Sequence, residues 1–316
     1  MNKPILLKPA FKDYLWGGTN LRTVYGKECD LNPIAESWEL SAHKDGQSIV
    51  ASGEYQGLTL SEYIDKCGRE ILGTNTMAFD RFPILIKLID AKDKLSIQVH
   101  PNDEYALINE GECGKTEMWY VIHAEKGASL FYGFNHEITK DEYHRRIRDN
   151  TLPDVLNKVE SKKGDVFFIE PGTVHAIGAG LIICEIQQNS NTTYRVCDYG
   201  RKNAVGKLRE LHIDKALDVS TLVPSKTAEN ILRIADKSKI IAKCRYFTCE
   251  KIEVDGTVKI PVDKSSFRSV ILTEGSGILE AYGTSLELKA GNSVFIPAQN
   301  GSFEIIGECD VLLSYI

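Results

Sequence analysis

Hydrophobic and polar residues alternate through LSIQVHPND (95–103) until Pro101 ends the run. Leu95, Ile97 and Val99 share one face of the predicted strand. Ser96, Gln98 and His100 share the other, because strand side chains alternate sides. The second face points at solvent, a hydrogen-bonded core or a metal ion, and alternation alone leaves all three open. Upstream, ESWELSAH, QSIVASG and EYQGL read as short strands separated by turns. A helix follows, since Thr59 and Glu62 have capping-box spacing and Leu58 and Tyr63 are placed for a hydrophobic staple. FPILIKLIDA (82–91) reads as a buried strand.

Strands resume from residue 117 in EMWYVIHA, ASLFYGF, GDVFFIEPGTVHAIG and GLIICEIQQNS. Residues 137–157 interrupt them. There Ile138, Thr139, Glu142 and Tyr143 repeat the staple and capping box, which predicts a helix running to about Leu152–Pro153. Residues 206–220 (GKLRELHIDKALDVS) read as a further helix, and 245–316 as short strands. The expected organisation is a first domain over 1–220 with its helical insert, a connection over 221–244, and a second domain over 245–316.

KKGDVFFIEPGTVHAIG (162–178) resembles KAGNSVFIPAQNGSFEIIG (289–307), and VIHAEKGASLFYG resembles ILTEGSGILEAYG upstream of it. The first copy is longer between its matched glycines by the length of the 137–157 insert. A duplicated all-β unit explains both facts, each copy forming a sandwich or barrel from short strands and Gly/Pro turns. Aligned on Gly164 and Gly291, His175 meets Ser302; aligned on the upstream match of VIHAEKGASLFYG with ILTEGSGILEAYG, Glu117 meets Phe267. Metal-capable residues belong to the first copy alone.

The chain has 316 residues, 42% of them hydrophobic, which accommodates two ordinary globular domains. Its net charge of −6, from 38 basic and 44 acidic residues, argues against nucleic-acid or anionic-membrane partners. No membrane-length apolar run and no signal peptide is evident. Eight scattered cysteines without a CxxC pair read as free thiols in a reducing cytosol, so a cytoplasmic location is expected.

The candidate metal ligands are Gln98, His100, Glu117 and His175. Two imidazoles, a carboxylate and an amide oxygen suit a divalent ion and leave room for water or substrate, without choosing among zinc, iron, manganese and cobalt. Spacing alone does not bring the four together. His100 also reads as a core or surface histidine and Glu117 as a carboxylate facing water at a strand start; His43, His123, His136, His144 and His212 are assigned to structure or solvent.

DYLWGGTNLR, ESWELSAH, FPILIKLIDAKDKLSIQVHPND, GKTEMWYVI, PGTVHAIG, EIQQNSNTTYRVCDYGR and RELHIDKAL together resemble the type I mannose-6-phosphate isomerases in their short bacterial form, members of the cupin superfamily. The resemblance runs in order from about residue 5 to the C-terminus. It implies a mainly β fold of two cupin-type β-sandwich or jelly-roll barrels, with helical insertions in and around the first. It implies one zinc ion per chain on Gln98, His100, Glu117 and His175. It also implies active-site roles for Lys115, Glu185 and Arg195, and substrate contacts through Ser96, Lys87 and Arg195. The implied partner is a small sugar phosphate; oligomeric state is not legible.

Aldose–ketose isomerisation moves a proton between C2 and C1 through a cis-enediol. A metal would polarise the carbonyl, an arginine fork such as Arg195 would hold phosphate, and Glu185 or Lys115 would be the base. A lysine serves as base only where burial or neighbouring positive charge lowers its pKa. Arg195 with Asp198 also reads as a structural ion pair. The competing functions are a metal-dependent cupin oxygenase and a non-catalytic sugar-binding cupin. A phosphate clamp has no evident use in the first, and the retained polar set argues against the second.

Overall fold

The computed structural model describes residues 3–202, 206–225, 231–233, 238–299 and 301–316. The strands Ile84–Ala91 and Leu181–Gln188 are buried at every position. Such continuous burial requires cover on both faces of a sheet. They are the centre of a seven-stranded antiparallel sheet, ordered Ile231–Arg233, Asp165–Ile169, Glu117–Ala124, Leu181–Gln188, Ile84–Ala91, Glu36–Leu40 and Ala10–Lys12. One face packs on a five-stranded sheet made of Leu156–Glu160, Ser129–Phe134, His175–Ala176, Ile97–Val99 and Tyr194–Cys197. Trp119, Val121 and Ile183 from the first sheet share a core there with Leu130, Tyr132 and Ile177.

The opposite face carries Leu88, Met118, Tyr120, Cys184 and Ile186, which cluster with Phe267, Ile271, Phe295 and Leu312 from the C-terminal half. Leu60, Tyr63 and Ile64 of a helix close the same core. The C-terminal half supplies six strands of an eight-stranded sheet with its own second core around Val254, Val270, Leu279 and Val311.

Its strands are longer than expected. Thr248–Val262, Arg268–Ala281 and Gly301–Tyr315 each run through glycines that read in sequence as turns. Gly256 and Gly277 both lie opposite Gly307 in the ladders, with Gly256 at φ +92° and Gly307 at φ +149°. These glycines let the paired strands bend without ending.

Pairings cross the expected domain limits in three places, one of them Ser238–Lys243 of the expected connection, which pairs with Thr248–Ile252 as the edge of the C-terminal sheet. Ile5–Lys8 pairs with Ser293–Ile296 on one side and Ile49–Val50 on the other, so the amino-terminal strand belongs to the C-terminal sheet. Ile231–Arg233, within the expected connection, pairs with Asp165–Phe167 of the first sheet. Residues 226–230 and 234–237 of that connection lie outside the described residues.

The helix Leu60–Cys67 carries the full capping box: Glu62 N–H donates to Thr59 Oγ1 at 3.2 Å and Thr59 N–H to Glu62 Oε2 at 2.8 Å. The insert helix is shorter than predicted, Lys140–Arg148. Asn150 follows at φ +54°, and Leu152–Val155 forms a separate 3₁₀ turn. Only half its box forms, because Glu142 turns its carboxylate to Arg146 Nε at 3.2 Å instead of to the Thr139 backbone. Between 206 and 220 only Ile213–Val219 is helical. The stretch before it runs beside the strand Tyr194–Cys197, where His212 N–H donates to the Arg195 carbonyl at 2.8 Å. EYQGL is a turn rather than a strand.

Candidate active site

The two sheets of the first unit bring the candidate ligands together by register. His175 stands opposite Gln98 on one sheet, and Arg195 stands opposite Gln98 on its other side. On the facing sheet Gln187 pairs with Glu117, and Glu185 with both Lys87 and Trp119. His100, Glu117 and His175 are each no more than 1% exposed, and their ligand atoms lie within 4.8 Å of one another. His175 Nε2 is 3.4 Å from Glu117 Oε1, and His100 Nε2 is 3.7 Å from Glu117 Oε2. The Gln98 amide comes within 3.4 Å of His175 Nε2.

Each imidazole is fixed from behind. His100 Nδ1 pairs with the Thr192 carbonyl at 3.0 Å and His175 Nδ1 with the Thr173 carbonyl at 2.8 Å. A carbonyl only accepts, so both Nδ1 atoms carry the proton and both Nε2 lone pairs face inward. Burial lowers both pKa values, that of His175 to about 4, which keeps the rings neutral. His100 Nε2 and Glu117 Oε1 are buried and make no hydrogen bond. Such orphaned acceptors are costly unless a cation satisfies them. The donor set, its tautomers and its orphaned atoms fit a divalent ion. Among the described residues it is the one such His/Cys/Asp/Glu cluster.

Beside the cluster opens a cavity of about 230 Å³ lined by Lys87, Ser96, Gln98, Lys115, Glu185 and Arg195. Lys115 links cavity to cluster, with Nζ 2.8 Å from Glu117 Oε2 and 3.7 Å from Glu185 Oε1. Lys87 Nζ is 3.1 Å from Glu185 Oε1 and 3.8 Å from Glu36 Oε2. Trp119 Nε1–H donates to Glu185 Oε2 at 3.0 Å. Burial favours a neutral Glu185, but Lys115, Lys87 and these hydrogen bonds outweigh it and hold its pKa at about 2. Burial likewise opposes charge on Lys87, yet Glu36 and Glu185 raise its pKa. Glu117 goes the other way: burial and the Glu185 charge push it up to about 7 in the metal-free protein, against the pull of Lys115.

All the predicted site residues therefore converge on one place. The lining residues not singled out in the sequence include Arg209, Glu36, Tyr14 and Trp16. Glu36 and Trp38 alternate with Ser37 and Glu39 in ESWEL, so strand alternation was the available signal for Glu36, which accepts from Trp38 Nε1 at 2.7 Å. Arg209 sits in an irregular stretch and had no periodic signal. Asp198 pairs with Arg209 (Nε–Oδ2 2.6 Å) and Arg201 (Nη2–Oδ1 2.6 Å), not with Arg195 as one sequence reading had it. Arg195 instead donates from Nε to Ser96 Oγ at 3.3 Å and from Nη1 to the Glu210 carbonyl at 3.0 Å. The Asp198 pairing leaves the Arg195 fork beside the cavity without a carboxylate partner among the described residues.

Comparison with known proteins adds independent findings. Residues 5–115 match the family model of the type I phosphomannose isomerase catalytic domain, and 237–316 that of the mannose-6-phosphate isomerase cupin domain. The chain is 39% identical over 318 residues to mannose-6-phosphate isomerase ManA of Bacillus subtilis, covering 99% of each chain. It is 36% identical to the mannose-6-phosphate isomerase of Streptococcus mutans, covering 100% of this chain and 99% of that one. Among solved structures it resembles the mannose 6-phosphate isomerase of B. subtilis with a TM-score of 0.88 at 36% identity, with complete coverage of both chains. A putative mannosephosphate isomerase of Archaeoglobus fulgidus gives 0.80 at 26% identity, over 100% of this chain and 98% of that one.

Proposed function

Since the chain belongs to the type I mannose-6-phosphate isomerases, a metal-using family with a cupin fold, we propose that it interconverts mannose 6-phosphate and fructose 6-phosphate in the cavity beside His100, Glu117 and His175. The observation that carries this assignment is the juxtaposition of inward-facing imidazole lone pairs with a row of cationic side chains. We assign one zinc ion per chain to Gln98, His100, Glu117 and His175. When bound, that ion supplies Lewis-acid polarisation of the sugar oxygens.

The protein's own residues do the rest. Arg195, with its planar fork beside the cavity, holds the phosphate, and Ser96 on the same cavity wall accepts from its Nε. Lys87 keeps its charge and stabilises negative charge developing on the enediol oxygens. Glu185 is a weak base: its pKa is held at about 2, and both oxygens are engaged by Lys87 and Trp119. We assign movement of the carbon-bound proton to the other candidate, Lys115, whose burial meets the condition for a lysine base, and to Glu185 the task of holding both lysines in place.

An oxygenase has no use for Lys87, Lys115 and Arg195 around one small cavity, and that reading is not favoured. The eight cysteines are free thiols, which suits the reducing cytoplasm we assign to it. Among the described residues no helix is long and apolar enough to cross a membrane. The deciding experiment measures conversion of mannose 6-phosphate by purified protein untreated, after chelation, and after zinc is restored. Turnover that vanishes and returns supports reaction and metal together. Absence of turnover with every divalent metal overturns the reading.

A further inference from the structure

The C-terminal half lacks the metal-capable residues, yet it reaches the segment that carries Lys115 and Glu117. Tyr246, in the bend between the strands Ser238–Lys243 and Thr248–Val262 of the C-terminal sheet, donates its hydroxyl to Asp103 Oδ2 at 2.7 Å. The other oxygen of Asp103 accepts from Gly114 N–H at 2.8 Å and from Gln188 Nε2 at 2.9 Å. Gln188 Oε1 then accepts from Thr116 N–H at 2.8 Å. Lys115 N–H itself donates to the Pro101 carbonyl at 3.0 Å. Three consecutive main-chain N–H groups, those of Gly114, Lys115 and Thr116, are thus anchored around one aspartate, and two of them depend on its Oδ1.

The backbone contact admits nothing larger than hydrogen at Gly114. A Cβ there would lie 2.4 Å from the Asn102 carbonyl carbon and 2.5 Å from the Asp103 nitrogen. Gln188 is buried, and charge-assisted bonds to a carboxylate are the stronger kind. The arrangement is rigid where a displacement would be felt directly, because Lys115 Nζ is 2.8 Å from Glu117 Oε2.

We infer that Tyr246 and Asp103 are positioning residues for the isomerisation, and that the C-terminal unit acts in catalysis by clamping the Gly114–Thr116 turn that presents Lys115. This inference rests on the role proposed for Lys115. A misplacement near 1 Å far from the reacting atoms can cost roughly 100-fold in rate. Tyr246→Phe, which removes one hydroxyl, should lower kcat by roughly tenfold while KM and zinc content stay at wild-type values. Asp103→Ala should lower kcat further, and Asp103→Asn should restore most of it, since the amide oxygen still accepts from Gly114 and the amide nitrogen can donate to Tyr246. In the Asp103→Ala background Tyr246→Phe should have no further effect, because its action passes through Asp103.

A wild-type kcat in Tyr246→Phe overturns the inference, as do additive losses in the double variant or a loss that tracks zinc content. If Asp103→Ala does not fold, Tyr246→Phe decides alone. Lys115→Met serves as the control: wild-type turnover there would overturn the role of Lys115 itself, and the clamp with it, whereas an inactive Lys115→Met beside a fully active Tyr246→Phe would overturn the clamp only.

Discussion

Lys87 and Glu185 stand directly opposite each other on neighbouring antiparallel strands, both buried, with Nζ 3.1 Å from Oε1. A buried pair of this kind is expensive to break, because losing one partner strands the other's charge. Glu185→Gln keeps the shape and removes that charge. It should lower kcat about tenfold, whereas Lys115→Met should lose on the order of 10²–10⁴, the range for a proton-transfer group. Saturating steady-state kinetics, with zinc quantified in each preparation, compares them. Equal losses at normal zinc content would move the base to Glu185.

Arg195 separates binding from chemistry. Arg195→Ala should raise KM for the sugar phosphate by more than Arg195→Lys does, since lysine keeps the charge but not the fork. Arg209, paired with Asp198, also lines the cavity. Equal KM values in wild type and Arg195→Ala would remove the phosphate role from Arg195.

Metal removal should be visible in stability as well as in turnover. A ligand at about 1,000 times its Kd adds about 4 kcal/mol to the folded state. Chelated protein should therefore melt at a lower temperature and recover with zinc. His175→Ala should melt at the same temperature with and without zinc, as scanning calorimetry would register.

The pH dependence of metal binding follows from Glu117. Its pKa of about 7 in the metal-free protein means that the carboxyl is mostly protonated at pH 6 and ionised at pH 8. An ion must displace that proton, so about one proton should be released per zinc at pH 6 and close to none at pH 8. Titration calorimetry in buffers of different ionisation enthalpy counts it.

Stability of the metal-free protein carries two opposing slopes from the same cluster. Glu117, raised above its ordinary value of 4.5, contributes stability that is complete below about 4.5 and lost as pH rises through about 7. His175, lowered from 6.5 to about 4, contributes stability present above about 6.5 and lost as pH falls through about 4. Replacing Glu117 with Gln should leave only the second slope between them, measurable as denaturant midpoints at several pH values.

The chain revealed its chemistry more readily than its topology. Alternation around Gln98 and His100 was local and could be read directly, as was the capping box at Thr59. That His175 would lie opposite Gln98 depends on pairing between segments 77 positions apart, which no local pattern encodes. Family resemblance supplied that convergence. The length of the C-terminal strands is not legible in the sequence, because Gly256 and Gly307 look like chain breaks singly and become a bend only when placed opposite each other. Arg209 escaped notice because an arginine in irregular backbone has no periodicity to mark it.

The pairing of Ile5–Lys8 with Ser293–Ile296 sets an order on biosynthesis. The strand Ile5–Lys8 keeps one edge open until Ser293–Ile296, almost 290 positions later, has been made. The back of the catalytic sheet, carrying Met118, Tyr120 and Ile186, waits for Phe267, Phe295 and Leu312 as well. Until those residues are made, the nascent chain exposes apolar surface that the folded protein buries, the kind of surface that makes incomplete chains prone to aggregate.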